Sequence, residues 1–198
     1  MSGEPNTFST LIPEFFLNHE ACFLKDRIGA TLEEIDSAVK FKLGFPMGIF
    51  ELADFTGMDV IHKATTEMYL RDKKVINPHP LVEKMFDDKK LGQKSGEGYY
   101  KYSDDKYERV SLSEELATKC NPIQIVANIL NNAAWLISNG ASDIEEIEKA
   151  AKLGLGLKKP LFETAKEIGI DKIVEELNKL ANEHGEFYKP DPLLVSMQ

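Results

Sequence analysis

Long apolar stretches are missing from this chain: none of its 198 residues falls in a run approaching the roughly 18 apolar residues that a membrane-spanning helix needs. A membrane location is therefore not expected. Cysteine is nearly absent too. Cys22 and Cys120 are the only two. They can make neither a disulfide framework nor a paired metal-ligand spacing, and they read as reduced thiols. The opening residues, MSGEPNTFST, show no basic stretch leading into an apolar one, so the expected compartment is cytoplasmic. Positive charge is in deficit: 24 Lys and Arg stand against 33 Asp and Glu, a net charge of −9. No basic stripe alternates with aromatics, which excludes a nucleic-acid partner. An anionic ligand would have to be held by local groups. No strand leads into G-x-G-x-x-G, so a dinucleotide-binding fold is excluded. The four histidines, His19, His62, His79 and His184, form no metal-binding spacing.

What the chain does have is a second copy of itself. Shifted by 112 positions, Ala21–Met85 aligns with Ala133–Met197 without a gap and with 19 identities in 65 pairs. Leu43-Gly44 meets Leu155-Gly156, Phe50-Glu51 meets Phe162-Glu163, and PHPL at 78–81 meets PDPL at 190–193. A helical unit of this length buries too little apolar surface alone, and a second copy can cover its exposed face.

Each copy reads as helices. Ile12, Phe15, Phe16, His19, Cys22 and Phe23 recur at helical spacing, as do Val126, Ile129, Leu130, Ala133 and Ile137. Thr31-x-x-Glu34 and Ser142-x-x-Glu145 read as capping boxes opening the next helix. That helix ends near Gly44 or Gly156. Shorter helices are expected at about 49–55 and 161–167, broken by Gly57 and Gly169, with Asp59 and Asp171 as N-caps of a longer helix after each break. The expected fold is all-α. The expected organisation is a first helical domain at 8–102, a linker at 103–112 containing Asp104-Asp105, and a second, degenerate and truncated copy at 113–198. The two copies are expected to pack as a pseudo-dimer.

Two segments differ between the copies and draw attention. Phe45-Pro46-Met47-Gly48 becomes Leu157-Lys158-Lys159-Pro160. The first version is either a ligand-lining turn kept only once or a simple helix-to-helix connection. GQKSGEGYY at 92–100 is either a phosphate cradle, with Lys89, Lys90 and Lys94 neutralising the charge, or a tight loop whose tyrosines pack back on the helices. His19 reads as a core or interface residue. Glu51 and Glu163 read as structural caps rather than acid–base groups.

KLGFPMGIFELADFTGMD at 42–59 and KKLGQKSGEGYYKY at 89–102 resemble the C-terminal domain of the 3-hydroxyacyl-CoA dehydrogenases. With the repeat, the resemblance covers residues 8 to 197. It implies a part in oxidising (S)-3-hydroxyacyl-CoA to 3-ketoacyl-CoA, as in fatty acid β-oxidation. The NAD would be bound by a Rossmann domain absent from this chain and supplied in cis or in trans, and a fused enoyl-CoA hydratase is a further implied partner. By the same resemblance Phe45, Pro46, Met47 and Gly48 line the acyl-CoA substrate cleft, the domain contributes to a subunit interface that could make a homodimer, and no catalytic residue is carried over. The family's Gly-Phe-x-x-Asn-Arg opening is not matched. Leu11 and Ile12 stand at its Asn and Arg. The chain alone is therefore expected to be inactive. The rival expectation is a stand-alone helical assembly or binding protein derived from the same family.

Overall fold

The computed structural model describes residues 8–103 and 111–198, with side chains from Leu17 onward. Among them are eleven α-helices and no strand; two isolated bridges, Gly92 with Glu97 and Glu97 with Lys101, tie the Gly-rich segment to itself. The fold is all-α.

One compact unit spans Phe15–Pro122. It contains most of α1 (Phe8–Ile28), then α2 (Leu32–Lys42), α3 (Ile49–Thr56), α4 (Met58–Arg71), α5 (Pro80–Asp87) and the short α6 (Glu114–Ala117). Its core is Leu17, Leu24, Ile35, Val39, Phe50, Met58, Ile61 and Ile76. α6 packs on α2, and the Lys42 ammonium donates to the Cys120 carbonyl at 2.8 Å. The second unit is Ile123–Gln198 together with residues 8–14. It contains α7 (Ile123–Ser138), α8 (Ile144–Gly154), α9 (Leu161–Ile168), α10 (Ile170–His184) and α11 (Pro192–Ser196). Leu130, Ile173, Leu177, Leu180, Tyr188 and Leu194 form its core. Residues 104–110, which hold most of the expected linker and the Asp104-Asp105 pair, lie outside the described residues.

The repeat is visible helix by helix. α8, α9, α10 and α11 each begin 112 residues after α2, α3, α4 and α5. Gly57 and Gly169 sit at φ 99° and 100°, a region open to glycine at little cost. Each ends one helix and starts the next within a single residue. That geometry corrects the expectation for Asp59 and Asp171. Neither is an N-cap: both fall in the first turn, where a carboxylate still suits the positive end of the helix.

Thr31 and Glu34 form the expected capping box, with both reciprocal bonds present. In the second copy the cap is Asp143, not Ser142: Asp143 accepts from the Glu146 amide at 2.8 Å, and the Ser142 hydroxyl turns to the Glu146 carboxylate at 3.1 Å. Asp143 is the residue 112 positions after Thr31. Its short carboxylate reaches the third amide as well as a hydroxyl does.

Along α1 more is buried than the expected stripe, of which the side chains of Ile12, Phe15 and Phe16 lie outside those described. Every residue from Leu17 to Cys22 is buried, polar ones included. The helix is surrounded here, so Asn18, His19 and Glu20 need partners inside the protein.

Candidate functional site

The turn between α2 and α3 is shaped by one buried carboxylate. Asp36, on α2, is fully buried. Its Oδ1 accepts from the Phe50 amide at 2.9 Å, and its Oδ2 from the Glu51 amide at 3.0 Å and the Tyr100 hydroxyl at 2.8 Å. Two of the amides left over at the start of α3 are thereby satisfied from a different helix. Gly48 lies directly against this carboxylate, and a Cβ there would overlap Asp36 Cβ and Cγ. The Gly48 N–H donates to Glu51 Oε2 at 3.3 Å, so Glu51 closes the helix start, the capping role expected for it. Of the four turn residues, Phe45 is buried and its amide bonds the Val39 carbonyl at 3.4 Å. Pro46 is exposed, Met47 half-buried and Gly48 buried. The outward lip of the turn is thus Pro46 and Met47.

Burial lifts the Asp36 carboxyl up to about 7, although the Phe50 amide, the Tyr100 hydroxyl and the Glu51 amide all favour its ionised form. Burial likewise raises Asp54. This second carboxylate, on α3, accepts from the Tyr99 amide at 2.8 Å, the Tyr100 amide at 2.9 Å and the Tyr102 hydroxyl at 2.8 Å.

The second copy keeps the clamp and changes the lip. Glu148, 112 residues after Asp36, accepts from the Phe162 amide at 2.9 Å and the Leu161 amide at 2.6 Å. The extra methylene moves its reach one amide toward the N-terminus. Leu157 is buried like Phe45, but Lys158, Lys159 and Pro160 are exposed, and Lys159 pairs with Glu167. Pro160 has no N–H to donate, so the Gly48–Glu51 bond has no counterpart.

The Gly-rich segment is a tight loop, not a phosphate cradle. The Gly92 amide donates to the Glu97 carbonyl, Ser95 to Gly92, Gly96 to Gln93 and Gly98 to Tyr100. The next two amides are taken by Asp54. Lys90 and Lys94 are ion-paired with Glu97 and Asp59. Gly98 lies so close that a Cβ would overlap the Asp54 carboxylate. Tyr99 packs its ring on Phe50 at 4.6 Å between centroids, and Tyr100 is buried. These amides are spent, so the segment does not fit the diphosphate of NAD. Among the described residues no strand leads into a helix as a nucleotide fold requires.

The buried polar residues of α1 make a third group. Tyr99 donates to Asn18 Oδ1 at 3.0 Å and lies 3.2 Å from Cys22 Sγ. Burial pushes the Cys22 thiol up to about 12, which makes it unreactive. The His79 amide donates to His19 Nδ1 at 2.8 Å. The His19 Nε2 and Asn18 Nδ2 atoms are buried without a hydrogen-bond partner. His62 stacks on Phe86 at 4.2 Å. The side chains of Leu11 and Ile12 lie outside those described.

Sequence reasoning missed Asp36, Asp54 and Tyr100. For Asp36 a signal existed: an acidic residue recurs at 148, directly after the Glu-Glu-Ile that both copies share at 33–35 and 145–147. Asp54 becomes Lys166 in copy two and left no such trace.

The clamp is thus repeated in the two helical units, the first of them carrying a Gly-rich tail latched to Asp36 and Asp54. The family described as "3-hydroxyacyl-CoA dehydrogenase, C-terminal domain" matches residues 15–102 and again 124–198, and the chain belongs to that family. Over 85 residues it is 40% identical to the mitochondrial hydroxyacyl-coenzyme A dehydrogenase of Rattus norvegicus, covering 42% of this chain and 27% of that protein. Over 190 residues it is 29% identical to the fatty acid oxidation complex subunit alpha of Idiomarina loihiensis, covering 85% of this chain and 26% of that protein. The chain thus spans less than a third of the length of these curated relatives. The crystal structure of 3-hydroxybutyryl-CoA dehydrogenase from Escherichia coli shares the fold, with a TM-score of 0.75 at 19% identity, over 98% of this chain and 59% of that one. The family is NAD-dependent. Among the described residues no helix is long and apolar enough to cross a membrane.

Proposed function

We propose that this chain is the acyl-CoA-binding and subunit-pairing region of an NAD-dependent (S)-3-hydroxyacyl-CoA dehydrogenase. The observation that carries the reading is the turn Phe45–Gly48: its clamp is present in both copies, but its apolar lip, Pro46 and Met47, is kept only in the first. Selection for packing alone would act on both copies alike, whereas one ligand site needs only one lip. Hydride transfer then falls to a Rossmann domain joined in cis or docked in trans, and that domain brings the NAD. The chain alone contributes shape and apolar contact, not the reacting groups.

The test has two arms. Purified chain mixed with (S)-3-hydroxybutyryl-CoA and NAD is expected to produce no NADH, and turnover at any rate above buffer overturns that part. Titration with acetoacetyl-CoA in a calorimeter is expected to show binding that weakens in Met47→Lys, the residue at the matching position of copy two. A second reading, a non-catalytic helical assembly protein, is favoured by Leu11 standing where the family resemblance leads one to expect Asn. It predicts no acetoacetyl-CoA binding by the wild-type chain.

A further inference from the structure

The turn Phe45–Gly48 joins α2 to α3, and one residue grips both helices, by its hydroxyl on one and its backbone amide on the other. Tyr100 places its hydroxyl 2.8 Å from Asp36 Oδ2 on α2 while its own amide donates to Asp54 on α3 at 2.9 Å. We propose that Tyr100 is a positioning residue for the acyl-CoA-binding turn, a staple across α2 and α3 that sets the carboxylate on which Gly48 and the start of α3 rest. The inference rests on that turn being the acyl-CoA contact.

Each link in the staple is specific. The backbone around Tyr100 is fixed independently of its ring, because Asp54 also holds the Tyr99 amide and the Tyr102 hydroxyl. The ring is therefore presented from a rigid base. Asp36 has no rotational freedom left, since its two oxygens are engaged by the Phe50 and Glu51 amides and by Tyr100. Gly48 is in such close contact with that carboxylate that any rotation of Asp36 would move the turn. Interiors packed this closely transmit small displacements instead of absorbing them. In copy two the anchor at Asp54 is replaced by Lys166, and the lip is lost as well. Staple and apolar lip occur together in the first copy. This also gives the Gly-rich segment a role that its spent amides deny it as a phosphate site.

The experiment compares three hydroxyl deletions in the full chain: Tyr100→Phe, Tyr99→Phe and Tyr102→Phe. All three residues come from the same segment, but only Tyr100 bonds Asp36; the Tyr99 hydroxyl bonds Asn18 and the Tyr102 hydroxyl bonds Asp54. Amide hydrogen exchange at Gly48, Phe50 and Glu51 and calorimetric binding of acetoacetyl-CoA are the readouts. Tyr100→Phe is expected to speed exchange at those three amides and weaken acetoacetyl-CoA by about three- to tenfold, the usual net worth of one hydrogen bond. The Asp36 carboxyl carbon, followed by NMR, is expected to titrate higher, because the lost hydroxyl had favoured the ionised form. Tyr99→Phe is expected to leave all three readouts at the wild-type level, and Tyr102→Phe, whose hydroxyl helps hold the base at Asp54, to move them by less than Tyr100→Phe does. A wild-type chain that binds acetoacetyl-CoA, with Tyr100→Phe binding equally well or either control weakened as much, overturns the positioning role. A wild-type chain that does not bind at all fails at the earlier step and takes the acyl-CoA reading, and this inference with it.

Discussion

The His79 amide donates to His19 Nδ1 at 2.8 Å, and the Asp191 amide, 112 residues on, donates to Asn131 Oδ1 at 2.7 Å. The same wiring runs through different chemistry. His79 caps α5 by accepting from the Leu81 amide, as Asp191 caps α11 by accepting from Leu193. His79 Nε2 lies 3.1 Å from Asp26, and at the matching place the Ser138 hydroxyl donates to Asp191 at 2.6 Å. Since His79 Nδ1 accepts, its Nε2 carries the proton and donates to Asp26. His19 likewise must keep a lone pair on Nδ1. Copy one has built this junction from imidazoles that hold only while neutral; copy two has built it from groups that do not titrate as imidazoles do.

Acid should therefore loosen the first junction. Burial, with added repulsion from His79 and His62, holds His19 down to about 3 against an ordinary 6.5. His79 is also lowered, by burial, against the opposing pull of Asp26. Below about 6.5 the unfolded chain takes up a proton on His19 that the folded one refuses. The stability is thus fully present above about 6.5 and is lost as pH falls toward about 3, with a slope of at most about 1.4 kcal/mol per pH unit. His19→Asn, the residue of copy two, keeps the acceptor and removes the titration. Urea unfolding at several pH values should show a shallower acid slope in this variant than in wild type; equal slopes would remove His19 from the account.

Asp36 predicts the opposite slope. Its folded carboxyl is raised to about 7 from an ordinary 3.8, chiefly by burial. Between those values the folded state binds the proton more tightly, so stability falls as pH rises through about 7. Asp36→Asn should lose this dependence. It should also be less stable at pH 7 by about 1–2 kcal/mol, because Asn offers one acceptor oxygen where Asp36 uses two, so its NH2 would face a donor among the Phe50 amide, the Glu51 amide and the Tyr100 hydroxyl. The comparison needs the two unfolding curves at pH 5 and pH 8 only. A variant that keeps the wild-type difference between them would show that Asp36 titrates elsewhere.

The repeat made much of this fold legible. One offset of 112 places four helix starts in copy two from those in copy one. The same offset would have chosen Asp143 over Ser142, had it been preferred to the local S-x-x-E pattern. The boundary at Gly57 was readable because glycine breaks helices, but not that a single residue at φ 99° would serve both helices and leave no room for an Asp cap. Asp36 and Asp54 were hidden for a different reason. A carboxylate on a helical face reads as solvated, and only tertiary packing reveals that the start of α3 and a tyrosine 64 residues away converge on Asp36, and that a tail 46 residues away closes on Asp54. The Phe45–Gly48 turn was found through sequence likeness; what holds it in place was not.

Two glycines that flank the turn should respond differently to the same methyl group. Gly44 sits at φ 75° with open space around a built Cβ. Gly44→Ala meets only the strain of a left-handed backbone, about 1–2 kcal/mol. Gly48 has an ordinary φ, yet its Cβ would overlap Asp36. Gly48→Ala must displace the clamp, which adds the exposure of two buried amides to the overlap, and we expect a loss of about 3 kcal/mol or more. Thermal unfolding of the pair distinguishes the causes: a smaller loss for Gly48→Ala than for Gly44→Ala would mean that Asp36 yields freely.

The Gly-rich tail is expected to come loose as a unit when Asp54 is removed. Asp54 is buried and is the shared acceptor for the Tyr99 and Tyr100 amides and the Tyr102 hydroxyl. Asp54→Ala strands those donors against the protein interior, and each buried donor left without an acceptor costs about 1–3 kcal/mol. Swinging the segment into water relieves all three at once, at the expense of uncovering Phe50, whose ring packs at a tilt against Tyr99. Lys94 and Lys101, already exposed, then lie on a backbone no longer held in its tight loop. Limited trypsin digestion of Asp54→Ala should therefore cut within 89–102 well before wild type does, while the helices of the second unit, which carry Lys166 at this place, keep their wild-type cutting pattern. Equal cutting of both units in the variant would mean that Asp54 holds the whole first unit together, not its tail.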